Sequence, residues 1–394
     1  MSVPDALADV PPVVGRRRPG RPRSRGKWAF WHAADAAVRP TLPAALRPVW
    51  RSRTSIQFGV DPVRAVVVDG VDEPTARALL SLDGDRTEPE VLADAAADGL
   101  DPVALGRLLD DLRSGGVVVD DGGPATTVGF PAEPAPHRTT ARLAPDRAGL
   151  SLLAGGDSVA DELLARRRAA TVVVHVADRV GVTLAALLGA AGVGHVQVVD
   201  RGPVRPADVA PGGLTAADAH RSRGAAAADA VRRAAPEVAT GPLEPGRLPD
   251  LVVLASARPV DTDLCAVLHN ARLPHLVAGV REATAIVGPL VLPGMTTCLR
   301  CADLHRADCD PAWPLLAAQL TDDRVRRVEP CDVVLASLAA GVGALQSLTH
   351  LDGGAPASVG GTLELALPDW RLRRRTWTPH QRCGCGAWPE TRAG

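Results

Sequence analysis

Tyrosine is absent from this chain of 394 residues, and lysine occurs once, as Lys27 near the N-terminus. A reaction in the body of the protein that needs an ammonium group beside a phosphate therefore has no side chain for it. Arginine in place of lysine, with abundant Ala, Gly, Pro and Val, is what a GC-rich genome produces. No apolar run reaches the roughly 20 residues needed to cross a bilayer, so no membrane is expected. The N-terminus lacks an apolar stretch after its basic residues and does not read as a secretory signal, which points to a cytoplasmic location. No period of 20–50 residues is visible, which excludes a repeat architecture. His175, His195 and His305 stand at no ligand spacing from one another and read as structural residues.

The length allows two or three domains with real cores, and 46% hydrophobic residues indicate a soluble globular chain. Net charge is -1 but uneven: residues 1–53 hold eleven Lys/Arg against three acids, leaving the remainder acidic. Residues 1–40 read as a basic disordered arm. Within it, Arg16–Lys27 resembles a minor-groove hook around Gly20-Arg21-Pro22, a weak signal in an Arg/Pro-rich segment.

Residues 41–121 form a compact α+β pattern. Thr54–Gly59 and Arg64–Gly70 predict a hairpin, and three short helices follow over 74–82, 88–99 and 101–116, the last two with Thr or Asp at the start and Gly at the stop. Val117–Asp120 closes the segment as a strand. The LDGDRT, EVLADAA and LLDDLRSGGVV stretches resemble the winged-helix-like (PqqD-like) precursor-recognition element of ribosomal peptide modification systems. That resemblance implies a peptide site, with an extended leader pairing along Val66, Val67 and Val68 and its side chains entering a groove lined by Leu105, Leu108 and Leu109. Some of those leucines must face the core, and periodicity does not say which. Residues 122–165, Pro/Gly/Thr-rich at their start, read as a linker.

From 166 to 394, apolar strand runs at Thr171-VVVHVA, His195-VQVVD, Pro249-DLVVLAS and Pro274-HLVAGV alternate with helical stretches, which predicts an α/β fold with a mostly parallel Rossmann-type sheet. Two cysteine pairs, Cys298/Cys301 and Cys383/Cys385, supply four thiolates for a closed tetrahedral site and predict a structural zinc that clamps the C-terminal segment, with Trp377 and Trp388, onto the sheet. Cys265, Cys309 and Cys331 read as structural or incidental.

The first β-α-β unit has the layout of a nucleotide fold, yet where G-x-G-x-x-G would end at Gly181, its first two glycines are replaced by Val176 and Asp178. Valine bars close approach of phosphate, and a carboxylate there would repel it. With the DLVVLAS, GPLVLPGMTTCLRC and PCDVVLASLAAGVGALQSLTHL stretches and the C-terminal cysteine pair, this domain resembles the ThiF/MoeB-type superfamily, which shares the ubiquitin-activating fold. Joined to a PqqD-like domain, it is similar to the leader-peptide-binding cyclodehydratase partners of azole-forming ribosomal peptide pathways, in their actinobacterial branch.

The resemblance implies a nucleotide site at Gly181, Asp200 for the ribose, and Arg221, with Arg223 as a second choice, for the phosphates. It is a vestigial site here, since the lysine is missing and the magnesium-binding acid after the third strand is replaced by Ser256-Ala-Arg-Pro259, with Asp261 and Asp263 displaced. ATP with magnesium is accordingly expected to bind weakly or not at all, and the protein is not expected to be catalytic on its own. The resemblance further implies a precursor leader peptide and a YcaO-type modifying enzyme as partners, and a homodimer. Two other readings stay open: an active ATP-dependent adenylyltransferase, and a DNA-binding regulator. The second is disfavoured by Asp101, Asp110 and Asp111 on the helix that would enter a groove, so nucleic acid is not an expected partner.

Overall fold

The computed structural model describes residues 38–43, 45–120, 136–321 and 330–387. The basic arm with Arg16–Lys27 and Trp388 lie outside the described residues.

In the N-terminal part, β1 (Pro40–Thr41) pairs antiparallel with β5 (Val119–Asp120) and ties its two ends together. Between them lie a three-stranded antiparallel sheet, β2 (Pro48–Ser52), β3 (Ser55–Phe58) and β4 (Val66–Asp69), and helices α1 (Glu73–Leu80), α2 (Glu88–Ala97) and α3 (Pro102–Ser114). The helices start where side chains satisfy their first amide groups. Asp72 accepts from the Thr75 nitrogen at 2.9 Å, Glu90 accepts from the Thr87 nitrogen at 2.8 Å, and Asp101 accepts from the Val103 nitrogen at 2.9 Å. Ile56, Phe58, Leu79, Leu109 and Leu112 fill the core. The expected hairpin is β3–β4. Strand β2 is an addition that the sequence pattern concealed: all five of its residues are exposed, so no apolar alternation marks it.

Residues 136–165 correct the linker reading. They belong to α4 (Pro136–Ala154) and α5 (Asp157–Ala169), joined through Gly155 and Gly156, both at positive φ. Neither helix carries a clear apolar stripe, and Pro145 interrupts α4, so periodicity did not announce them. Tertiary contacts hold them instead. Leu143 packs on the turn at Gly192, Ala160 and Leu163 are buried, and Arg147 bonds to Asp157 and Asp161 at 3.0 and 2.6 Å.

The C-terminal part is built on one seven-stranded sheet of order β12-β11-β10-β9-β8-β6-β7. Its strands are β6 (Thr171–His175), β7 (His195–Val199), β8 (Leu251–Leu254), β9 (His275–Arg281), β10 (Thr284–Val291), β11 (Gly361–Ala366) and β12 (Leu372–Thr376). The first four are mutually parallel and β10 to β12 pair antiparallel, so five of the seven strands run in one direction. Helices α6 (Gly181–Ala190) and α7 (Arg223–Ala234) follow β6 and β7, and α8 (Thr262–Asn270) follows β8. After β10 come α9 (Leu299–Cys309), α10 (Trp313–Leu320) and α11 (Val333–Leu351).

Strand order reverses at β6, whose neighbours are β7 and β8. The crevice beyond the carboxyl ends of these strands is where such sheets hold ligands. Helix α11 packs on α6 and β9 closely enough that a Cβ at Gly343 would stand 2.7 Å from Leu184 Cδ1. By length and composition α11 could span a bilayer, which the absence of a long apolar run did not suggest, because Ser, Gln, Thr and His interrupt it. Its inner face, Leu335, Ala336, Ala339, Ala340, Ala344 and Leu348, lies in the core.

Candidate functional site

At the end of β6 the chain makes the turn in which a nucleotide fold would present amide groups to phosphate. Val176 adopts φ 79°, a left-handed conformation that glycine accepts freely and a β-branched residue does not. Thus the turn keeps its backbone shape without its glycine. Gly181 is retained for a steric reason: a Cβ there would lie 2.1 Å from the Val176 carbonyl oxygen and 2.9 Å from Ala255 Cβ.

Asp178 occupies the mouth of α6. Its Oδ1 accepts from the backbone nitrogens of Val180 at 3.0 Å and Gly181 at 2.8 Å, the amide groups that would otherwise face an anion. Burial pushes its carboxyl up to about 6, against the opposing pull of the Gly181 and Val180 amides and Arg223. The first amides of α6 are therefore satisfied by a carboxylate from the turn itself.

The residues expected to hold a nucleotide are engaged in the same way. Asp200 Oδ2 accepts from the Ala177 nitrogen at 2.7 Å and Oδ1 from the Arg201 nitrogen at 2.6 Å, so Asp200 braces the turn. Arg223, nearly buried, bridges Asp200 at 3.1 Å and the buried Asp208 at 2.5 Å. Arg221 is drawn away from this cluster: it pairs with Asp218 at 2.6 Å and Asp229 at 2.5 Å. Of the two arginines, Arg223 and not Arg221 joins Asp200. Asp208 was not anticipated, because it is brought in by a loop with no motif of its own. Arg179 closes the region from above, donating to the carbonyl oxygens of Ala207 at 2.7 Å and Cys331 at 2.8 Å. The displaced acid Asp261 caps α8, accepting from the nitrogens of Asp263 at 2.7 Å and Leu264 at 3.2 Å.

The two cysteine pairs, 85 residues apart between Cys298 and Cys383, converge. Cys298 lies 3.7 Å from Cys301 and 3.6 Å from Cys383, and Cys301 lies 3.6 Å from Cys385, measured between sulfurs. The N-terminus of α9 carries the first pair and the segment after β12 the second. The set could hold a metal ion. The donor chemistry fits: four sulfurs stand within reach of one ion, and the His380 backbone nitrogen donates to Cys301 Sγ at 3.3 Å. Near the cluster, the Trp377 carbonyl accepts from Thr297 Oγ1 at 2.9 Å. Beside the cluster, between α8, α9 and α10, lies a cleft of about 800 Å³. Cys265 lines it, and burial, helped by Asp303 and Asp261, pushes its thiol up to about 12, which makes it a poor nucleophile.

In the N-terminal part, β4 is an edge strand of its sheet. Val67 points outward and is exposed, while Val66 and Val68 are half-buried against the core. Leu105 and Leu109 are at 4% and 0% exposure and belong to the core, so they do not line an open groove; Leu108, half-buried, stands at its margin.

The ThiF family profile matches residues 154–387, more than half of the chain. No curated protein matches the chain in sequence. Among solved structures, the microcin C7 biosynthetic enzyme MccB in complex with N-formylated MccA superposes with a TM-score of 0.64 at 13% identity, over 88% of this chain and 99% of that one. MccB of E. coli with ATP gives 0.64 at 14% identity over the same shares. PaaA gives 0.59 at 16% identity, over 84% of this chain and 98% of that one. At these identities the likeness is one of fold, and it extends through both the small N-terminal part and the seven-stranded sheet. On the matched span, from the end of α4 to the second cysteine pair, the chain belongs to the ThiF family.

Proposed function

We propose that this protein is a leader-peptide-binding scaffold. Its winged-helix-like domain binds the leader of a ribosomal precursor peptide and presents the core to a partner cyclodehydratase of the YcaO type, which carries the ATP chemistry. The protein's own nucleotide site is degenerate, and the chain is not catalytic by itself. One observation carries this reading: the Asp178 carboxylate accepts the Val180 and Gly181 amide hydrogens that a phosphate would need. A nucleotide phosphate would have to displace a carboxylate held by two amides, without lysine to offset the charge. The open strand β4 supports the peptide-binding half, since an extended peptide can continue a sheet at its edge. The solved relative MccB, alike over nearly its whole length, was captured with MccA.

The four-cysteine cluster is assigned to a structural zinc. Four thiolates around a tetrahedral zinc stand about 3.8 Å apart for bonds near 2.3 Å, close to the 3.6 and 3.7 Å found here. With four protein sulfurs no position remains for a substrate, so its work is to pin the segment after β12 to α9. A homodimer is supported by Val334, Leu338 and Leu345, an exposed apolar stripe along the outer face of α11. The reading places the protein in the cytoplasm.

Calorimetry with Mg-ATP tests the degenerate site. No binding tighter than about 10 μM, near -7 kcal/mol, is expected. Low-micromolar binding together with ATP–pyrophosphate exchange would instead establish the adenylyltransferase reading.

A further inference from the structure

The backbone register of the small sheet says which groups on β4 are free. Gly59 donates its amide hydrogen to the Arg47 carbonyl, in register with the pair Pro48 and Phe58. Hydrogen-bonded pairs alternate along an antiparallel ladder, so Gln57 and Gly59 turn their backbone groups toward β2, while Ile56 and Phe58 turn theirs toward β4. Their partners there, Val68 and Val66, are thereby used inside the sheet. Val67 must then direct its N–H and C=O out of the open edge, and a peptide strand laid there would meet them.

The wall beside that edge is one flank of α3. The opposite flank is occupied: Arg113 bonds to Glu88 on α2, to Asp110 at 3.0 Å and to Asp120 on β5 at 3.0 Å. The core face carries Leu105, Leu109 and Leu112. The remaining flank turns to β4, because a Cβ on Gly115 would stand 3.3 Å from Val66 Cγ2. Successive turns back along that flank bring Asp111, Leu108 and Ala104. Leu108 is half-buried, and Asp111 is exposed with no ion pair or side-chain hydrogen bond among the described residues. It lies in the last turn of α3, where the helix dipole also favours a cation. Residues 41–121 hold fifteen acids against eight arginines, so this part of the chain is acidic; Arg107 stands one turn before Asp111 on α3, with no ion pair formed between them.

We infer that Asp111 is a specificity residue of the peptide groove and that the segment bound on β4 carries an arginine or lysine facing it. The apolar floor of Val66, Val68 and Leu108 takes an aliphatic side chain of the same peptide face, at fixed spacing from the basic one. This deepens the peptide-binding reading and rests on it. The exposed ion pair contributes modestly to affinity and more to selection, since an acidic side chain at that position is repelled.

The test is a selection from a displayed library of random twelve-residue peptides on the full-length protein, run in parallel with Val67→Pro, Ala104→Arg and Asp111→Asn. Val67→Pro removes the outward amide and fixes φ at that position, and Ala104→Arg blocks the groove from an exposed position, so the second lesion stands if the first disturbs folding. Wild type is expected to enrich peptides with Arg or Lys at constant spacing from an aliphatic residue. The best of them, synthesised, should lose about two- to fivefold in affinity when that residue becomes Gln and more when it becomes Glu, with both differences abolished in Asp111→Asn. Peptides that depend on Val67 and Ala104 yet ignore these exchanges would overturn the role of Asp111 and leave the groove standing. Enrichment that neither groove variant reduces, or none at all, would overturn peptide binding on β4 and this inference with it.

Discussion

The Asp178 carboxylate accepts the amide hydrogen of Gly181 at 2.8 Å, closing the N-terminus of α6 with a side chain from its own turn. A helix N-terminus attracts anions because its first amides are unsatisfied and its dipole is positive there. Once a carboxylate is built in, that attraction is spent within the fold.

The pH dependence of stability follows from the same contact. Asp178 stands at about 6 in the fold against 3.8 for a free aspartate, so the folded state holds its proton more tightly than the unfolded state does. That contribution is complete below about pH 4 and is lost as pH rises through about 6. Measured against Asp178→Asn, which keeps a capping oxygen but does not titrate, wild type should lose about 2 kcal/mol of relative stability between pH 4 and 7. Parallel denaturation curves at the two pH values would show the assignment to be wrong.

Val176 is expected to be a site where glycine stabilises. A β-branched residue held at φ 79° costs about 1–3 kcal/mol, whereas glycine's extra unfolded-state freedom costs about 1 kcal/mol or less. Val176 is 36% exposed, so part of its apolar burial is lost with the side chain, and the net gain is smaller than the strain alone. Val176→Gly should therefore raise the urea midpoint at unchanged slope, and a lowered midpoint would contradict the strain argument.

Metal analysis of the purified protein should return one zinc per chain. Cys383→Ser should lower this and destabilise the C-terminal part, as should a strong chelator, because a bound ion would hold the second cysteine pair to α9. Cys309→Ser, at an exposed position outside the cluster, should change neither metal content nor melting temperature.

Arg167 and Asp352 form a bidentate pair at 2.8 and 2.6 Å, both nearly buried, joining α5 to the end of α11. Removing one partner leaves an uncompensated buried charge, so Asp352→Ala should cost about 3–5 kcal/mol. The double change Arg167→Met with Asp352→Leu should recover much of that. Thermal unfolding of wild type and the two variants decides whether α5 is an integral part of this domain.

The α/β layout was legible because buried parallel strands such as Thr171–His175 and Leu251–Leu254 are unbroken apolar runs, and a run of that kind has few alternatives. Both cysteine pairs were legible for a chemical reason, since closely spaced thiols have a short list of uses. The loss of two glycines at Val176 and Asp178 was likewise plain along the chain. That the turn would keep a left-handed residue, and that Asp178 would rotate inward to cap α6, depended on where the packed helix placed its amides. The choice of Arg223 over Arg221 depended on Asp208, contributed by a loop eight residues beyond Asp200. Helices α4 and α5 and strand β2 escaped for a related reason: their own sequences lack an apolar period, and contacts with distant residues such as Gly192, Asp352 and Phe58 hold them. Local pattern fixes which residues can be buried, but which polar groups meet is set by the packing of elements far apart in the chain.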